Sequence, residues 1–184
     1  MTNSCYYAAA MAAASPQVAY RSTIRLERVR GPLRKAYLPA EKHPVMFGVH
    51  GAIAAHYRVS PHTEPHANTL DYLVASTAGC LTGTFADALE ARQIDASQGK
   101  LESEGVGEIE LQDGVLVIRR IHVQFTLKTS EEEFEAARRV HGVFADRCPA
   151  YRTLQSAIAI TTSLALEADG DDSLMLGDQG QSGG

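Results

Sequence analysis

The sequence predicts an α+β domain, and three features carry that reading. A stretch from about Thr69 to Arg92 repeats apolar residues at helical spacing. Strand-like segments stand on both sides of it, and the two that follow it join near Gln112-Asp113-Gly114, a hairpin signal. An apolar run, AIAITTSLALE, closes the ordered part. The order is strands, long helix, strands, helices, strand, which suits α+β rather than alternating α/β architecture.

Each element has its own warrant. In VAYRSTIRLERV, Ile24, Leu26 and Val29 alternate with charges as in a half-buried strand, with a bulge near Arg28. Gly31-Pro32 breaks it, Leu33 to Tyr37 forms a second short piece, and VMFGVHGAIAAHYRV reads as a third extended stretch ending at Ser60-Pro61. The composition of HTEPHAN marks a loop. In the long helix Leu70, Leu73, Val74, Thr77, Ala78, Leu81, Phe85 and Leu89 form the apolar stripe. Asn68 or Thr69 caps its start, and Asp71 suits the first turn, where aligned peptide dipoles favour negative charge. KLESEGVGEIEL and VLVIRRIHVQFTLK are the hairpin strands. Ser130 with Glu133 predicts a capping box for a helix from Glu131 to about Ala145. Cys148-Pro149 opens another short helix through Ser156, proline being tolerated at a first helical position. The final run reads as a buried strand.

The 184 residues suit one domain, expected over 16–168, with a weakly ordered leader at 1–15 and a disordered tail at 169–184. A formal charge of −5 argues against nucleic acid or an anionic membrane as partner. No run of about 18 apolar residues offers a bilayer span. MTNSCYYAAAMAAAS lacks the basic start of a secretory signal, so a cytoplasmic location is expected, with cysteines held as thiols.

Two of the three cysteines stand where chemistry can use them. Cys80 lies inside the long helix among Ala75, Ser76, Thr77, Ala78 and Gly79; small neighbours let another element or a substrate come close. Such a cysteine is either an inert small hydrophobe, since burial raises a thiol pKa, or a nucleophile that imports a cation. Cys148 stands at a helix start beside Arg147 and one turn from Arg152, so local electrostatics make it the more acidic thiol. Cys5, in the alanine-rich leader, has no such setting.

TLDYLVASTAGCLTGTFADALEARQID and RCPAYRTLQSAIAI, in this order with strands between, resemble the OsmC/Ohr family of osmotically induced and organic-hydroperoxide-resistance proteins. The resemblance spans roughly Val18 to Glu167. It implies an OsmC-like fold, an intertwined homodimer and a thiol-dependent peroxidase acting on organic hydroperoxides, with an external dithiol as reductant and no cofactor. Cys80 would be the attacking thiolate and Cys148 the resolving thiol. An arginine would stabilise that thiolate, with Arg58 the best match and Arg34 a weaker one, and Asp71 would hold the arginine. Leu70 stands at one common glutamate position of the family. A second reading is a non-enzymatic protein of the same fold that binds a small apolar ligand or senses redox state.

Helix geometry bears on the acid. Nine residues at about 100° each put Asp71 on the opposite side of the helix from Cys80, roughly 13 Å along the axis. A twofold pairing of long helices would let each site borrow groups from its partner. Elsewhere, His62, Glu64 and His66 form a proline-flanked polar loop and not a metal site, for want of further ligands. His50 and His56 are expected on one face of an extended stretch. No Ser-His-Asp arrangement, phosphate-cradling loop or dinucleotide fingerprint occurs, and EEEFEAARR reads as a solvated helix face.

Overall fold

The computed structural model describes residues 17–60 and 62–169. The leader with Cys5, and residues 170–184 of the expected tail, lie outside the described residues. The chain divides into two compact units, up to His66 and from Ala67 onward.

The first unit holds an antiparallel sheet of β1 (Arg25–Arg30), β2 (Leu33–Tyr37) and β3 (Val45–Phe47), followed by α1 (Gly51–His56). Gly31 makes the β1–β2 turn at φ +50°, and the register shifts between Arg28 and Arg30, as the charge pattern of β1 predicts. Two expectations fail in this unit. Every residue of β1 is exposed, Leu26 at 59%, although the alternation predicts a half-buried strand. The third extended stretch ends at Phe47, because GAIAAH coils into α1 from an extended His50. His50 and His56 therefore stand at opposite ends of a short helix, not on one strand face. Alanine's high helix propensity explains the switch, which alternation alone does not register.

In the second unit, α2 (Thr69–Glu90) leads into the β4 (Leu101–Gln112) and β5 (Val115–Thr129) hairpin. Asp113 at φ +49° and Gly114 at φ +82° form the turn, the pair of left-handed residues that a two-residue hairpin requires. Helices α3 (Phe134–His141) and α4 (Pro149–Leu154) then carry the chain back so that β6 (Ala159–Ala168) pairs parallel with β5. Along β5 burial alternates cleanly: Ile121, Val123, Phe125 and Leu127 are buried, with Gln124 and Lys128 exposed. That inner face meets Leu81, Phe85 and Leu89 of α2 and Phe144, the last at the start of a 3-10 turn, Phe144–Arg147.

Asn68 caps α2 by accepting from the Leu70 and Asp71 amides, and Asp71 accepts from the Asn68 amide at 2.7 Å. The box expected at Ser130 does not form. The Ser130 side chain makes no cap hydrogen bond, and the neighbouring Thr129 hydroxyl donates to the Glu133 carboxylate instead. The expected helix from Glu131 divides accordingly into a 3-10 turn, Glu131–Glu133, and α3. β6 is half-buried rather than buried. Asp169 is fastened rather than free: its amide donates to the Thr129 carbonyl and its carboxylate meets Lys100 at 2.9 Å.

Candidate active site

The site is built from the middle of α2 and the first turn of α4. Thr77, Leu81 and Phe85 turn one side of α2 into the core, and Cys80 lies beside that stripe, partly exposed. Cys148 is the residue before Pro149, whose fixed φ starts α4. Its extended backbone (φ −78°, ψ 120°) leaves the side chain free to cap, and the Tyr151 amide donates to the Cys148 sulfur at 3.5 Å. A sulfur thus takes the position that an oxygen occupies in most helix caps. The Cys148 thiol in turn donates to the Cys80 sulfur at 3.4 Å. Both cysteines are free thiols.

Exposure separates the two. Cys148 is 0% exposed, while Cys80 opens to solvent. Burial pushes the Cys80 pKa above the ordinary thiol value; the Ala150 backbone amide pulls the other way, and the neighbouring Cys148 adds to the rise. None of these influences is a cation. A mid-helix cysteine has no free amide of its own helix to use, so sequence reasoning missed Ala150, which reaches Cys80 from α4. The Cys-Pro pair marking a helix start was the signal that could have found it.

The other predicted residues lie elsewhere. Asp71 belongs to the α2 cap and lines a groove of about 480 Å³ on the side of α2 away from α4. Val74, Ala75, Ala78, Gly79 and Ile109 share that groove. Arg58 is in the first unit, in the turn after α1 and not in a strand, at φ +52°, with its amide on the Ala55 carbonyl. Arg34 sits on β2 opposite Arg28 and Phe47. Glu64 and His66 approach each other at 3.5 Å, and among the described residues no three His, Cys, Asp or Glu side chains converge as a metal set. No helix there is long and apolar enough to cross a membrane.

A second buried feature went unread in the sequence. His141, at the end of α3, packs against Phe85, Phe125 and Phe144 at ring distances of 5.6, 6.1 and 5.6 Å. Its Nε2 is buried with no hydrogen-bond partner among the described residues, and burial lowers its pKa. Phe144 stands four residues before Cys148, so this ring cluster underlies the segment that delivers the second thiol.

The fold has solved relatives. An OsmC-like protein from Mycoplasma pneumoniae superposes with a TM-score of 0.59 at 18% identity, covering 82% of this chain and 99% of its own. The organic hydroperoxide resistance protein OhrB of Bacillus subtilis gives 0.55 at 16% identity, over 79% and 98%. An OsmC-like protein of unknown function from Vibrio cholerae gives 0.63 at 9% identity, over 79% and 99%. At these identities the likeness concerns the fold. Among curated proteins no sequence matches. The family model for OsmC-like protein matches residues 62–163, more than half of the chain and the whole segment from the α2 cap to both thiols. The chain belongs to the OsmC-like protein family.

Proposed function

We propose that this protein is a thiol-dependent peroxidase that reduces organic hydroperoxides, with Cys80 as the attacking thiol and Cys148 as the resolving one. The observation that carries the reading is the 3.4 Å sulfur pair with unequal exposure. A peroxide reaches Cys80 first, because Cys148 presents no surface to it. The Cys80 thiolate attacks one peroxide oxygen, the O–O bond breaks, and the leaving alkoxide takes a proton to become an alcohol. Cys80 is then a sulfenic acid. The Cys148 sulfur attacks the Cys80 sulfur, water leaves, and a disulfide closes from sulfurs that need only contract toward about 2.05 Å. An external dithiol restores both thiols by exchange.

Attack requires thiolate, and burial opposes it at Cys80. We assign Arg58 to offset that cost and Asp71 to hold the arginine, within a homodimer in which each site borrows from the partner chain. The small-residue groove along α2 and the exposed apolar residues of β1 suit a second copy. The same burial supports the rival reading, a redox-sensing protein of this fold that reacts slowly and does not turn over.

Turnover of cumene hydroperoxide with dithiothreitol separates the readings. The peroxidase reading expects full loss of rate in Cys80→Ser, and in Cys148→Ser a Cys80 sulfenic acid that dithiothreitol itself must resolve. Arg58→Ala should lower the rate by about 10²-fold or more, the order expected when a preorganised electrostatic partner is removed. Equal rates in wild type and Cys80→Ser would sink the proposal.

A further inference from the structure

We propose that the Cys80–Cys148 pair is also a chelating site for monosubstituted trivalent arsenicals, and that it discriminates against zinc and against two-coordinate soft cations. The inference rests on the geometry of the pair and not on the peroxidase reading.

The ligand count comes first. The pair supplies two sulfurs, and among the described residues no third or fourth His, Cys, Asp or Glu converges on them. Structural zinc wants four protein ligands and catalytic zinc three, so two thiols are too few. An arsenical of the form R–As needs two, because its own carbon fills the third position.

The angle comes second. At a bond length of about 2.3 Å, that of a zinc thiolate, sulfurs 3.4 Å apart subtend about 95° at the bound atom. A tetrahedral ion at about 109° would need sulfurs only about 3.8 Å apart, so zinc is opposed by ligand count and not by angle. A linear two-coordinate ion, by contrast, would drive the sulfurs to about 4.6 Å at that bond length. Trivalent arsenic is pyramidal, with a lone pair and bonds close to right angles. The reduced pair is therefore set for arsenic with little movement. A linear ion would have to push Cys148 away from Cys80, and the Cys148 sulfur is tied to the Tyr151 amide at the start of α4.

The reaction needs no oxidant. In R–As=O plus two thiols, two S–H bonds break and two As–S bonds form. The oxide oxygen leaves as water with both protons, and arsenic stays trivalent. Cys80 reacts first, being the partly exposed thiol, and Cys148 closes the ring from within. The R group stays bonded to arsenic throughout.

The test titrates phenylarsine oxide into the reduced full chain carrying Cys5→Ser, with free thiols counted and intact mass recorded. One equivalent should remove both thiols and add the mass of one phenylarsine oxide less one water. Cys80→Ser and Cys148→Ser should each weaken binding by at least about 100-fold, the loss expected when a second intramolecular contact disappears. Equimolar zinc should leave the titration unmoved. Unchanged affinity in either single variant, or displacement of the arsenical by zinc, overturns the proposal. Peroxide-driven thiol loss measured on the same samples keeps the two readings apart, since binding of the arsenical does not require the sulfur to attack a peroxide.

Discussion

Around α2, Leu81, Phe85 and Leu89 are fully sealed by the β5 face, Phe144 and the helices that follow, whereas Ala75 and Gly79, on the other side, open onto the groove beside β4. The packed side is rich in rings: Phe85, Phe125 and Phe144 lie 4.8 to 5.6 Å apart, with His141 at their edge. The open side is built largely from small residues, Ala75, Ala78, Gly79, Ser103, Gly105 and Gly107. Gly105 and Gly107 of β4 lie so close to Ala78 and Val74 that a Cβ on Gly105 would come within 3.0 Å of the Ala78 methyl. One side of the helix is completed by its own chain and holds the thiols against α4. The other meets β4 closely at Gly105 and Gly107 but stays open at Ala75 and Gly79, where we place the second copy of the proposed dimer.

That contrast can be broken at several points. The largest effect belongs to the packed side: Phe85→Ala should cost about 3–5 kcal/mol, by loss of transfer energy and creation of a cavity, read from urea unfolding. A smaller loss, about 1–3 kcal/mol, is expected for Gly107→Val, since the added side chain meets Val74 across the strand–helix contact. Gly79→Ala has the opposite sign. Nothing lies within 4 Å of the added methyl, so helix propensity should stabilise the chain by about 0.5–1 kcal/mol. A bulkier Gly79→Leu should keep the fold and shift sedimentation toward monomer; an unchanged sedimentation coefficient would remove this face from the dimer.

The smallest expected effect is a pH dependence. His141 is held below its ordinary pKa by burial, so the unfolded state binds its proton more readily than the folded state. Stability from this group is present above the unfolded pKa, near 6.5, and is lost as pH falls toward the lowered folded value. His141→Phe should flatten unfolding midpoints between neutral and mildly acid pH. An unaltered slope in the variant would assign the acid sensitivity to other groups.

Much of the second unit was legible in the sequence because its signals are local. The 3.6-residue stripe marked α2, Asn68 and Asp71 marked its start, and Asp113-Gly114 marked the hairpin. The first unit was read less well. The exposure of β1 depends on what covers it, which alternation does not encode, and the helix in GAIAAH followed propensity where the apolar pattern was ambiguous. At the site, each cysteine could be singled out by its neighbours, but not their meeting. That meeting depends on the chain running through β4, β5 and α3 before α4 returns to α2. Local charge also pointed to Cys148 as the more reactive thiol. Burial of its sulfur, a tertiary property, leaves Cys80 as the more accessible of the two thiols instead.

The proposed division of labour between the two thiols is open to direct measurement. One equivalent of cumene hydroperoxide is added to reduced Cys148→Ser protein carrying Cys5→Ser, and the product is trapped with dimedone and mapped by mass spectrometry. The account predicts a single adduct on Cys80, and no adduct in the parent protein, where Cys148 closes the disulfide first. An unmodified Cys80 in the presence of peroxide would contradict it.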